Sequence, residues 1–147
     1  MRLFLIGLAA LAAGCMPRPA TGPPPRPDIG LPAVPQTSIS GRLTYRQRIA
    51  LPAGSRVVVT VEDQSRAGAA AVLLGRSEFT TTGEQVPLPF TVGAEAPARP
   101  DARVGVRAQI YAPGGRLAWT SDTFTPVLTP GAPTTGVEVR LVQAPGQ

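Results

Sequence analysis

The chain of 147 residues contains no histidine. That removes the commonest general base and the commonest metal ligand. It contains no lysine either, so every basic residue is an arginine. Cysteine occurs once, as Cys15, which excludes an internal disulfide and leaves little for thiolate chemistry or soft-metal sites. Acids are few, 9 against 14 arginines, and scattered. The adjacent pair Glu62-Asp63 falls in a strand-like run, where alternation sends the two side chains to opposite faces. No glycine-rich phosphate loop occurs, because Gly114-Gly115 reads as a hairpin turn. An enzyme built on this chain would have to draw nucleophile and base from Ser, Asp or Glu alone. No catalytic set, metal site or cofactor is expected.

What is present begins at the N-terminus. Arg2 precedes an apolar run from Leu3 to Leu11, and Ala12-Ala13-Gly14 supplies small residues before Cys15. This is the pattern of a secretory leader. The run is too short to cross a bilayer as a helix, which needs about 20 apolar residues. The cysteine directly after Ala-Ala-Gly resembles the lipobox of bacterial lipoproteins, with Ala12 where leucine is commonest. The resemblance implies cleavage before Cys15, a diacylglyceryl group on its thiol and an acylated amine. Multiple chains anchor where one does not, since each buried methylene contributes about 0.8 kcal/mol. The residue after the cysteine is Met16 rather than Asp. By the enterobacterial sorting rule that implies the outer membrane, facing the periplasm, with the inner membrane as the alternative.

Without residues 1–14 about 130 residues remain, enough for one domain and a tail. The side chains then carry about +4. Export argues against a nucleic-acid partner. Anionic lipid heads or acidic envelope polymers fit the charge better, and a plain solvated surface accounts for it as well. Residues 15–36 form the lipidated cysteine and a disordered linker rich in proline: Pro17, Pro19, Pro23, Pro24, Pro25, Pro27, Pro32 and Pro35. Such density prevents helix and sheet pairing. The segment is expected to be extended, reaching on the order of 65 Å. Docking of this segment in a partner's aromatic groove is the sharper alternative.

Residues 37–147 read as one all-β domain, a compact antiparallel β-sandwich of about seven strands. The runs are 39–45, 56–63, 71–79, 86–92, 103–111, 116–124 and 136–142. In most, apolar residues alternate with polar ones: Val57, Val59 and Val61 inward, or Val104, Val106, Ala108 and Ile110 inward. Pro87 and Pro89 remove backbone donors from the fourth run, which makes it an edge or irregular strand. Short turns at Pro52-Ala53-Gly54, Thr82-Gly83-Glu84 and Gly114-Gly115 favour antiparallel neighbours. The longer runs 93–102 and 125–135 are candidates for crossings between layers. Residues 67–74 could pass for a helical turn but are too short to stand alone.

The sequence then resembles a family. Residues 39–54, ISGRLTYRQRIALPAG, are similar to the opening G-x-[VL]-x-Y-R-x-R-I-A-L-P-x-G of YbaY-type lipoproteins. Val61 to Arg66 resembles their L-x-D-x-S segment, and Gln85 to Phe90 their Q-x-P-[IL]-x-F. Ala108-Gln109-Ile110, Ser121-Asp122-Thr123 and Pro126-Val127-Leu128-Thr129 match later pieces, with Ser121 where the family has threonine. The family is related to YscW-like pilotin lipoproteins of type III secretion. The resemblance implies a β-sandwich, a membrane anchor, and a non-catalytic helper of an outer-membrane assembly such as a secretin ring. The alternative is a glycan- or lipid-headgroup-binding module of the envelope.

Few residues stand out as a binding surface. Arg42, Arg46, Arg48 and Arg107 would form a basic patch if their strands were neighbours, since arginine pairs bidentately with carboxylate or phosphate. Tyr111, with Tyr45 and Trp119, would offer a stacking platform for a glycan. Trp119 is in phase with Leu117, which favours the core instead. Asp63 points inward at a strand end, the place of a carboxylate that accepts turn N–H groups.

Overall fold

The computed structural model describes residues 36–145; the leader, Cys15 and the proline-rich segment lie outside them. Eight strands and no helix occur among the described residues: β1 (Gln36–Tyr45), β2 (Arg56–Asp63), β3 (Val72–Thr80), β4 (Leu88–Glu95), β5 (Val104–Tyr111), β6 (Leu117–Ser121), β7 (Thr125–Pro126) and β8 (Val137–Gln143). The all-β expectation holds. Residues 67–71 form turn and coil, and the chain enters β3 directly after them.

Alternation places the core. Along β4, Leu88, Phe90, Val92 and Ala94 are buried while Pro89, Thr91, Gly93 and Glu95 are exposed. Val57, Val59 and Val61 of β2, Val106 and Ile110 of β5, Ile39 and Leu43 of β1, and Val139 and Leu141 of β8 join one apolar cluster. Fully burying a side chain of this size contributes roughly 1.5–3 kcal/mol. Hydrophobic alternation therefore decides both strand phase and the inward face.

The strands form one sheet in the order β3-β2-β5-β6-β8-β1-β4, with β7 paired to β5. Neighbours run antiparallel except β1 and β8, which are parallel from Gly41 opposite Val137 to Tyr45 opposite Leu141. The sheet curls until its two halves face each other, so the two expected layers are the arms of one nearly closed, barrel-like sheet. The segment after β4 carries the chain from the sheet edge across to β5, and the segment after β7 returns it to β8. Both long runs thus make the crossings their length implied.

The end of the sheet where β1 leaves at Tyr45 and β2 begins at Arg56, here called the lower end, is plugged by aromatics. Trp119 stacks on Tyr45 with ring centroids 4.0 Å apart and planes 6° from parallel. The Tyr45 hydroxyl donates to the Ile49 carbonyl at 2.7 Å, and burial raises its pKa above 10.0. At the same end Gln85 clamps the chain at Leu51: its carbonyl accepts from the Leu51 N–H at 2.8 Å and its amide donates to the Leu51 carbonyl at 3.0 Å.

Candidate functional site

The two edge strands meet at a seam. An added Cβ on Gly75 of β3 would lie 2.3 Å from the Gly93 carbonyl oxygen of β4, so the backbones are almost in contact there. No ladder joins them. Toward the lower end a groove of about 280 Å³ remains, lined by Phe79, Thr80, Glu84, Leu88, Pro89, Phe90 and Thr91. Its floor is apolar and its rim hydroxylated or acidic. Pro89 opposes Arg42 across the β1–β4 ladder and has no N–H to offer. The edge position that the prolines implied is therefore where the groove lies. The groove itself was missed, because the return of β3 toward β4 is a long-range event with no local signal.

The basic residues fall into two groups. Arg107 and Tyr111 share the outer face of β5 with Arg56 of β2 and Arg76 of β3. The Arg56 guanidinium lies over the Tyr111 ring at 4.4 Å, and the Tyr111 hydroxyl donates to Gln109 at 3.1 Å. Glu78 bridges Arg76 at 2.6 Å and Arg56 at 3.2 Å, which holds its carboxyl below the ordinary glutamate value. Exposed pairs of this kind contribute little, because solvent screens them. Arg42 and Arg46 belong to β1 and the loop after it, with Arg48 further along that loop. β6 and β8 stand between β5 and β1, so Arg42, Arg46 and Arg48 do not join Arg107 and Tyr111. Cys15 lies outside the described residues. Trp119 is 4 % exposed and Tyr45 8 %, so the glycan platform loses two of its three rings to the core.

Asp63 does the structural work its position implied. Its carboxylate accepts from the Ser65 N–H at 2.9 Å and from the Ser65 hydroxyl, which in turn accepts from the Arg103 N–H at 2.7 Å. These bonds from Ser65, first the side chain and then the backbone, hold the Asp63 pKa below 3.8. A depressed carboxyl pKa contributes stability above the unfolded value of about 3.9 that is lost as pH falls through the folded value. Asp63→Asn is expected to flatten the acid limb of the stability–pH curve below pH about 4, read by urea unfolding at successive pH values. An unchanged slope would remove Asp63 from this role.

A family profile, the type III secretion system lipoprotein chaperone YscW, matches residues 34–141. The chain belongs to the YscW family. The uncharacterized lipoprotein YbaY of Escherichia coli K12 is 32% identical over 117 residues, 79% of this chain. This chain spans 59% of the length of that relative. An alternative pilotin from the type II secretion system of Vibrio cholerae superposes with a TM-score of 0.67 at 34% identity, over 75% of this chain and 100% of the other. The resemblance to YbaY-type and YscW-like lipoproteins read from the motifs thus holds, and the matched residues include every strand that builds the seam.

Proposed function

We propose that the chain is a pilotin-like helper: a lipoprotein held by Cys15 in the inner leaflet of the outer membrane, facing the periplasm, that binds an outer-membrane assembly protein without catalysis. The observation that carries this reading is the superposition of the β-domain on a secretion-system pilotin at 34% identity. The absence of histidine and lysine, and the occupation of Asp63 by Ser65, fit a binding role. The seam is the surface best suited to a protein partner. A groove of about 280 Å³ opens there between two strands that no ladder joins. A secretin is the partner of choice, delivered to the membrane where the anchor resides.

In-cell crosslinking followed by mass spectrometry tests this. The native lipoprotein is expected to capture a secretin or another outer-membrane assembly, with capture lost in Cys15→Ser. Thr91→Arg sits on the exposed face of β4 at the groove and is expected to reduce capture at least about tenfold while the domain stays folded. Capture that survives Thr91→Arg moves the partner off the seam. Recovery of no protein above the Cys15→Ser control overturns the helper reading altogether.

A further inference from the structure

One face of the sheet carries more positive charge than the acid on it can offset. Arg42 lies on the outer face of β1, and Arg46 follows one residue past that strand. Arg140 of β8 stands opposite Thr44 across the parallel ladder, next to both. Arg48 lies further along the loop. All four are exposed, and none makes an ion pair among the described residues. The acid within this face is Glu138, in register with Arg42 and accepting from the Thr44 hydroxyl at 3.4 Å. Glu84, on the loop that Gln85 ties to Leu51, is already engaged by the Thr82 N–H at 2.6 Å.

An apolar side chain is displayed beside these arginines. Ile49 is 51% exposed. The hydrogen bond from Tyr45 to its carbonyl fixes the loop to the stacked aromatic plug. The opposite end of the sheet also shows apolar residues, Val72 at 55% and Leu73 at 56%. There Arg99 is held by Asp101 at 2.6 Å, and Asp63 adds a second carboxylate at that end. Charge therefore distinguishes the two ends, and the Ile49 end combines unpaired arginine with an exposed aliphatic group. That combination suits an interface of anionic headgroups over acyl chains.

We infer that the Arg42–Arg46–Arg48–Arg140 face, with Ile49, docks on an anionic phospholipid surface and sets the orientation of the domain on its membrane. The inference rests on the anchored reading in one respect: docking of this strength acts where a tether keeps the face close to lipid. Geometry permits it. The chain enters β1 at the end remote from Ile49, and the ten residues of that strand rise about 33 Å. At about 3.1 Å per residue, the contour length of residues 15–36 exceeds the length of that strand. With this face on the bilayer, the seam on the adjacent β4 edge stays open to a partner alongside the membrane.

Vesicle flotation with the chain from residue 15 onward, carrying Cys15→Ser so that no acyl group contributes, tests the face itself. At millimolar lipid the protein is expected to float with phosphatidylglycerol–phosphatidylcholine vesicles and not with phosphatidylcholine alone. Each substitution among Arg42→Ser, Arg46→Ser, Arg48→Ser and Arg140→Ser is expected to weaken binding about fivefold. Salt at about 0.5 M is expected to abolish it. Ile49→Ser should weaken it further at constant charge. The charge-matched single controls Arg66→Ser and Arg107→Ser should not. All these positions are exposed, and the near-ultraviolet signal of Trp119 stacked on Tyr45 reports whether each variant remains folded. Absence of binding, equal binding to neutral vesicles, or equal loss in the controls overturns the inference. So does retention on immobilised polyglutamate without flotation, which would make the occupant an acidic polymer. Because the assay contains neither anchor nor partner, its failure leaves the helper reading standing, and failure of the crosslinking experiment leaves this one standing.

Discussion

Gly41→Val is expected to abolish cooperative folding of the β-domain. Gly41 sits in the middle of β1, between Phe90 of β4 on one side and Val137 of β8 on the other. An added Cβ would lie 1.9 Å from the Val137 carbonyl oxygen, 2.7 Å from its carbonyl carbon and 3.0 Å from Phe90 Cε1. The first two are backbone atoms and cannot rotate away. Relief requires β8 to move by more than 1 Å, and β8 holds Val137, Val139 and Leu141 in the core. The parallel β1–β8 ladder is also the join that ties β1 and β4 to the rest of the sheet. Breaking it exposes both edges. A loss of at least about 4 kcal/mol is expected, against a total of about 5–15 kcal/mol for a domain of this kind. Gly41→Ala meets the same atoms and should fall nearly as far, because the clash is at Cβ. Gly75→Ala is the informative contrast. Its Cβ would meet the Gly93 oxygen at 2.3 Å, but no hydrogen-bonded ladder crosses that seam, so β3 can shift at smaller cost. Urea unfolding of the variants decides the matter. A Gly41→Val midpoint close to that of the unmodified chain would mean that β8 does not pair with β1 as described.

What the sequence disclosed and what it hid divide along the range of the physics. Strand phase is local, with a period of two, so Val57, Val59 and Val61 or Leu88, Phe90 and Val92 could be turned inward from their own neighbours. The meaning of Pro87 and Pro89 is local too, because a missing N–H excludes β4 from a central position whatever surrounds it. Asp63 and Trp119 were legible for the same reason, through strand-end position and phase. Strand order is not local. Nothing in the stretch around Gly41 says that the last strand will lie parallel beside the first, and the glycine there reads as an unremarkable spacer. The grouping of arginines depends on that order. Arg42, Arg46 and Arg107 share a residue type and an outward phase, yet β6 and β8 hold them apart, while Arg140 joins Arg42 only because of the parallel pair. The family motifs carried information that phase could not. They tied residues far apart in the chain to a pilotin-type domain before any ladder was visible.

Cys15→Ser is expected to remove the protein from the outer-membrane fraction, the largest single change available in this chain. Serine offers no thiol for a diacylglyceryl group, and without that group the cut that frees the amine for acylation does not follow. The energetics are set by chain number. One myristoyl-sized chain gives marginal, reversible binding with a constant near about 10⁴ M⁻¹, and a second makes the attachment stable. On the proposal that Cys15 carries these chains, their loss removes far more binding than the proposed arginine face would supply, since each arginine near an anionic surface is worth about 1 kcal/mol. Fractionation of cells into outer-membrane, inner-membrane and soluble pools should show the wild-type chain in the first and the variant absent from it. The N-terminal peptide of the wild type should begin at Cys15 and carry acyl mass. Two consequences separate anchor from fold. The Cys15→Ser chain should unfold in urea at the wild-type midpoint, because the core is built from residues 39–144. It should also lose its crosslinked partner although the seam is intact, since a groove of about 280 Å³ binds too little surface to find a membrane assembly without the tether. A variant that stayed in the outer-membrane fraction would show that the β-domain, through its basic face or its partner, holds the membrane unaided, and the lipid on Cys15 would cease to be the anchor.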